Sequence, residues 1–258
     1  MALLEIRNIE KDFGGLIALN NVSFDVHEGE IVSVIGPNGA GKTTLFNCLT
    51  GYSKPDKGHV HFSGKNATGL TPHEINALGM ARTFQQIRLF MNLTIMENVL
   101  IGMHSRTRTG VFSALLRPAW VRAEEIAARA KVVQILGLFQ ERLLPRLEQQ
   151  ARMLSYANRR RLEIARALAS DPKLMLLDEP AAGMNPHETQ LATDLIRQLR
   201  EMGHTILLIE HDMRLVMALS DRVIVLDHGE KIAEGSPQEV QQNQQVIEAY
   251  MGRVAKHA

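Results

Sequence analysis

Residues Gly36-Pro37-Asn38-Gly39-Ala40-Gly41-Lys42-Thr43 constrain this chain more than any other stretch. They follow a β-rich run, Glu30 to Ile35, and precede a helical pattern from Thr43 to Thr50. The spacing is G-x-x-x-x-G-K-[ST], and a strand before it and a helix after it form the setting that its chemistry requires. Gly36, Gly39 and Gly41 permit tight turns that leave backbone amides free to face an anion. The helix that follows directs its positive end at the same point. Lys42 is placed to reach the β and γ phosphates of a nucleotide. The Thr43 hydroxyl is placed to bind a Mg²⁺ ion that bridges them. Cys48, on the same helix with Leu45, Phe46 and Leu49, reads as a core residue.

The rest of the chain fits around that loop. β-rich runs at Glu30 to Ile35, Lys173 to Leu177, Thr205 to Ile209 and Val223 to Leu226 alternate with helical patterns beginning near Lys42, Arg160, Pro186 and Met213. Such alternation predicts a parallel sheet covered by helices. Thr71-Pro72-His73-Glu74, Asn185-Pro186-His187-Glu188 and Ser236-Pro237-Gln238-Glu239 each read as a capping box with proline at the first helical position. From Leu89 to Leu154 helical periodicity continues with no β run, so this stretch is expected to be a helical insert. Inside it, Arg106 to Trp120 reads as an exposed elaboration or a packed local loop. Pro237 to about Met251 reads as one polar surface helix.

Composition removes several classes of function. Twenty-nine Lys and Arg against 28 Asp and Glu leave a net charge of +1, which supplies no global basic field for nucleic acid. One cysteine excludes an intramolecular disulfide framework. An acid at Glu5 falls where a signal peptide would need its apolar core, so export is not expected. Apolar runs such as Leu174 to Leu177 are far shorter than the roughly 20 residues that a spanning helix needs.

Two strand ends carry chemistry. Leu174-Met175-Leu176-Leu177 runs into Asp178-Glu179-Pro180, which puts two carboxylates at the C-terminal mouth of a buried strand, where open α/β sheets bind ligands. Asp178 is the candidate for holding Mg²⁺, and Glu179 for polarising the attacking water. Thr205 to Ile209 ends in Glu210-His211-Asp212, where His211 can hydrogen-bond a γ-phosphate and that water.

GPNGAGKTT (Gly36 to Thr44), LSYANRRRLEIARAL (Leu154 to Leu168), MLLDEPAAGMNP (Met175 to Pro186) and ILLIEHDM (Ile206 to Met213), in that order, resemble the ATP-binding subunit of an ABC transporter. The resemblance covers essentially the whole chain. RTFQQIRLF (Arg82 to Phe90), the LSY of the signature, AAGMNP and IEHDM resemble the branch that serves branched-chain amino-acid uptake. It implies a P-loop NTPase (RecA-like) core with a mostly parallel sheet, antiparallel β elements near the N-terminus and an inserted α-helical subdomain. The expected division is a core of 1–88 and 159–235, a helical subdomain of 89–158 and a C-terminal helix of 236–258.

By the same resemblance, ATP contacts fall to Phe13, Gly36, Pro37, Asn38, Gly39, Ala40, Gly41, Lys42, Thr43 and Thr44 in one subunit. Ser155, Tyr156 and Ala157 contact the ATP of the opposite subunit. Phe13 resembles the aromatic that stacks on adenine. Gln85 resembles the glutamine that touches Mg²⁺ and the water, so Thr43, Gln85 and Asp178 form the implied metal set. Glu179 resembles the catalytic glutamate and His211 the switch histidine, while Asn185 falls in the D-loop. The signature departs from LSGGQ or LSYGQ. Its Ala157 replaces a glycine, and a Cβ there is expected to crowd the phosphate and penalise a positive φ, slowing hydrolysis. Arg159, Arg160, Arg161 and Arg166 are expected to solvate the outer face of a helix whose inner face is Leu162, Ala165, Leu168 and Ala169.

The resemblance implies ATP and Mg²⁺ as cofactors. It implies a homodimer or a heterodimer with a second ATPase, two transmembrane permease subunits, a periplasmic binding protein acting indirectly, and a peripheral position on the cytoplasmic face of the inner membrane. No nucleic-acid partner is expected. Three other readings stand beside it: an ATPase of a lipopolysaccharide-export or urea-import system, a non-transport ABC ATPase acting on DNA or ribosomes, and a regulatory module that binds nucleotide without hydrolysis.

Overall fold

The structure is a computed structural model that describes residues 2–104, 118–139 and 142–254, with side chains through residue 250. Two sheets organise it. The first is antiparallel, in the order β2-β1-β4-β5, built from β1 (Ala2–Phe13), β2 (Leu16–His27), β4 (Lys57–Phe62) and β5 (Lys65–Asn66). The second has the order β10-β9-β3-β8-β7-β6, and every neighbouring pair in it is parallel except β10 with β9. Its strands are β3 (Ile31–Ile35), β6 (Met80–Arg82), β7 (Leu174–Asp178), β8 (Thr205–Ile209), β9 (Arg222–Asp227) and β10 (Glu230–Gly235). The mostly parallel core and the N-terminal antiparallel elements are as expected.

All five residues of β3, β7 and β8 are buried, which is why they read as unbroken apolar runs. Strand alternation sends Met175, Leu177, Ile206 and Leu208 to one face, and Leu174, Leu176, Leu207 and Ile209 to the other. On the first face lie α3 (Ile95–Gly102), α4 (Ala119–Gly137), α5 (Tyr156–Leu168) and α6 (Pro186–Glu201), which supply Val99, Leu136, Leu162 and Ile196 to one core. On the second, α1 (Lys42–Leu49) inserts Leu45, Phe46, Cys48 and Leu49 between the two sheets.

Burial keeps Cys48 in reserve, and loss of solvation pushes its thiol up to about 11. The folded protein is therefore expected to resist iodoacetamide at pH 8 and to react once unfolded. Rapid labelling of Cys48 in the native protein would contradict its placement.

The capping boxes expected at Thr71, which starts α2 (Pro72–Leu78), at Asn185 and at Ser236 are present. A fourth, Thr94 with Glu97, starts α3 without a proline and so carries a weaker sequence mark. Among the described residues, no named strand lies between β6 and β7. Helix α5 runs unbroken from Tyr156 to Leu168, so the expected limit of the insert at 158/159 falls inside a helix. Of the segment from Arg106 to Trp120, residues 106–117 lie outside the described residues, and Trp120 is a half-exposed residue of α4.

The C-terminal helix is two helices, α8 (Pro237–Gln242) and α9 (Gln244–Val254). Asn243 sits between them in extended backbone, and its Oδ1 accepts from the amides of Gln245 and Val246, capping the second. The pair is not purely superficial. Val240 and Val246 are buried with Val216 of α7 (Met213–Leu219), Val223, Val225 and Ile35, the last residue before the phosphate loop.

Candidate active site

The loop from Gly36 to Gly41 lies against two neighbouring chain segments, which explains its glycines. At Gly36 an added Cβ would stand 2.1 Å from the Leu226 carbonyl, and at Gly41 it would stand 2.5 Å from the Ala18 carbonyl. Both residues have positive φ, 149° and 101°. Gly41 ends the loop as the N-cap of α1 with no side-chain cap, so the first-turn amides of that helix are left for another acceptor. Lys42 Nζ donates to the carbonyls of Gly36 at 2.6 Å and Pro37 at 3.0 Å, which folds the side chain back over the loop. From behind, Val246 of α9 shares a buried cluster with Ile35, the residue that leads into the loop.

One cavity of about 430 Å³ gathers Phe13, Asn38, Gly39, Ala40, Gly41, Lys42, Thr43, Thr44, Gln85 and Glu179. Phe13, at the end of β1, is 53 % exposed and lies 5.2 Å from Lys11 Nζ, so it is not a core phenylalanine. Gly36 and Pro37 are buried beneath the loop. Ser155, Tyr156 and Ala157 do not line this cavity.

The strand-end residues meet because β7 and β8 pair in parallel with Asp178 opposite Ile209. Glu179 and Glu210 are the next residues on each. Glu179 has φ 49°, an unfavourable left-handed conformation for a non-glycine residue. Its Oε2 accepts from Gln85 Nε2 at 3.1 Å, and its Oε1 lies 3.5 Å from His211 Nδ1. Three residues singled out on separate motifs thus form one connected cluster.

Asp178 is buried behind Glu179 and paired with Arg82 Nη2 at 2.9 Å. Loss of solvation raises its pKa, and the guanidinium opposes that rise. Arg82 also donates to Asn47 Oδ1 and Thr50 Oγ1 and packs against the rings of Phe46, Tyr52 and Phe84.

Sequence reasoning passed over Arg82 and Glu210. Glu210 is buried, which raises its pKa, and its oxygens accept from the amides of Ala181, His211 and Asp212. It ties the turn after Glu179 to the turn bearing His211. A glutamate inside Glu210-His211-Asp212 could have drawn attention to it; an arginine at a strand end carries no comparable mark.

Two expectations are corrected at α5. Ser155 does cap this helix, accepting from the Asn158 amide at 3.4 Å. Ala157, however, is helical, lies outside the positive-φ residues and is 3 % exposed, so its Cβ faces the interior. The crowding argument fails for that reason. Ala157→Gly is expected to leave ATP turnover within about twofold and to weaken the helix by ~1 kcal/mol. A several-fold gain in rate would restore the original expectation. The arginines do not solvate an outer face either: Arg160 and Arg161 are buried and Arg159 and Arg166 are half-buried, because both sides of α5 are covered.

A sequence model described as ABC transporter matches residues 19–182. The chain belongs to the ABC transporter family. A second model, described as branched-chain amino acid ATP-binding cassette transporter, matches residues 230–256 of this ABC protein. The chain is 47 % identical over 254 residues to the high-affinity branched-chain amino acid transport ATP-binding protein LivG of Salmonella typhimurium, covering 97 % of this chain and 98 % of that one. An ATP-binding cassette of an ABC transporter, crystallised in its ADP conformation, superposes with a TM-score of 0.85 at 35 % identity, covering 98 % and 99 % of the two chains. A dimeric ABC cassette in a post-hydrolysis state bound to ADP and Pi gives 0.74 at 27 % identity, covering 91 % and 98 %.

Proposed function

We propose that this chain is the ATP-hydrolysing subunit of an importer for branched-chain amino acids, working as one of two ATPase subunits that enclose two ATP molecules between them. The observation that carries the reading is the meeting of Gln85, Glu179 and His211 beside the phosphate loop. The loop amides and Lys42 bind the phosphates, and Phe13 stacks on adenine. Ser155 and the first-turn amides of Tyr156 and Ala157 face the phosphate bound by the opposite subunit.

Thr43, Gln85 and Asp178 offer hydroxyl, amide and carboxylate oxygens, a donor set that suits a hard cation sharing its shell with phosphate and water. Thr43, Gln85 and Asp178 would hold Mg²⁺, which would supply neutralisation of phosphate charge. Glu179 accepts the proton of the attacking water, Gln85 orients that water, and His211 donates to the γ-phosphate.

Among the described residues no helix is long and apolar enough to cross a membrane. Membership of the ABC transporter family supports two permease subunits as the translocation path. The ATPase works peripherally on the cytoplasmic face of the inner membrane, with a periplasmic binding protein acting through the permeases. The second ATPase is another copy or a relative. The match over residues 230–256 and the name of the Salmonella relative support branched-chain amino acids over lipopolysaccharide or urea.

Isolation from native membranes in mild detergent is expected to bring down permeases of that class. The purified complex is expected to release phosphate from ATP and to stop when EDTA is added. Ribosomal or DNA partners, or phosphate release that EDTA leaves unchanged, would overturn the reading.

A further inference from the structure

The arginine-rich start of α5 holds chemistry that the site above leaves unused. Side chains of Arg160 and Glu163 are 0 % and 1 % exposed and joined at 2.9 Å. Burying two charges carries a desolvation cost that their attraction rarely exceeds, so such a pair is a poor device for stability alone. Its other contacts indicate a different use. Arg160 Nη1 also donates to the Phe84 carbonyl, and Nη2 donates to the Gln85 carbonyl at 2.6 Å and to the Tyr156 hydroxyl at 3.2 Å. Glu163 Oε1 accepts from the amides of Phe84 at 3.4 Å and Arg88 at 3.3 Å.

The pair therefore grips the backbone of 84–88 by its carbonyls and by its amides. Tyr156 stands in the first turn of α5, and its ring lies close enough to Gly183 that an added Cβ there would come within 3.3 Å of it. One guanidinium thus joins the loop that carries Gln85 to the segment Ser155 to Ala157, and through Tyr156 it reaches the turn after Glu179.

We propose that Arg160, held by Glu163, is a positioning residue that couples the two nucleotide sites of an ATPase pair, by making the Gln85 loop and the Ser155 to Ala157 segment move as one body. The proposal rests on the reading that Gln85 meets this subunit's own nucleotide while Ser155 meets the partner's. A phosphate at Gln85 then sets the orientation of the segment offered across the interface, and ATP-driven pairing becomes cooperative.

The test uses the full chain carrying Glu179→Gln as parent. Binding to the monomer is followed with a fluorescent trinitrophenyl-ATP and dimerisation by light scattering. Arg160→Lys keeps the charge but loses the planar fork that spans several acceptors. Arg160→Met with Glu163→Leu removes both charges, leaving none buried and unpaired. Both variants are expected to bind nucleotide within about twofold of the parent and to need about tenfold more ATP to dimerise, a ratio inside the range usual for coupled sites. With Glu179 restored, the Hill coefficient of hydrolysis is expected to fall toward unity. Tyr156→Phe, which removes one of Arg160's partners, is expected to shift dimerisation less.

Dimerisation of the double variant at the parent's ATP concentration, with an unchanged unfolding midpoint, overturns the proposal. Loss of monomer binding in that folded variant overturns it too. A parent that binds nucleotide yet stays monomeric at every ATP concentration overturns the paired-subunit reading and the proposal together, whereas a defect confined to the Arg160 variants leaves that reading standing.

Discussion

Glu179→Gln is expected to lower ATP turnover by about 10²- to 10⁴-fold, the usual contribution of a general base, while nucleotide affinity stays within a few-fold. The substitution keeps the shape of the side chain and its contact with Gln85, found at 3.1 Å. It removes the capacity to take a proton. The residue is also held in a left-handed backbone conformation at φ 49° and bonded through its amide to the Ile209 carbonyl, so its aim is fixed by the strand pair and not by the side chain alone. Phosphate release and nucleotide binding measured on one preparation separate the two effects. Turnover above a tenth of wild type would assign the base to another residue.

Arg82→Leu is expected to destabilise the fold by ~3 to 5 kcal/mol, the loss found when one partner of a buried ion pair is removed. Arg82 and Asp178 are 5 % and 3 % exposed, so water cannot replace the missing guanidinium. The change also removes the donor to the Asn47 side-chain carbonyl, leaves Thr50 with only its bond to the Phe46 carbonyl, and empties the space between Phe46, Tyr52 and Phe84. For a chain of this size the loss corresponds to a fall in Tm of about 6 to 10 °C. Arg82→Lys is expected to recover part of it, since one ammonium can keep the charge but not all three contacts. Denaturant unfolding of both variants checks the ordering, and a shift for Leu below ~1 kcal/mol would show that Asp178 is solvated in the native state.

The phosphate loop, the two strand ends and the parallel sheet were legible because each depends on local order: a glycine spacing, an apolar run, an acid directly after it. The hairpin of β1 and β2 was less visible. Those strands are covered on one face only and their register shifts several times, so the alternation of apolar residues is broken. What sequence could not disclose was the burial of charge. Arg160 and Arg161 are expected outside with the other arginines of α5, yet both are buried, and the 84–88 loop, bonded to Arg160 and Glu163, covers that side of the helix. Ala157 was misread for a related reason: its neighbours decide which way its Cβ points. The break at Asn243 was missed because an asparagine side chain can cap a new helix as readily as it can sit exposed within one.

The order of strands has a consequence for how the protein comes into being. β3, which leads into the phosphate loop, is flanked in the sheet by β8 and β9, and α9 packs Val246 into one buried cluster with Ile35 at the end of β3. Those neighbours are translated long after the loop itself. A nascent chain on the ribosome therefore carries its phosphate-binding residues without β8 and β9 beside β3 until residue 227 has emerged, and a stop before β9 leaves one edge of β3 unpaired. The phosphate loop is encoded early, while the strands that brace β3 are encoded late.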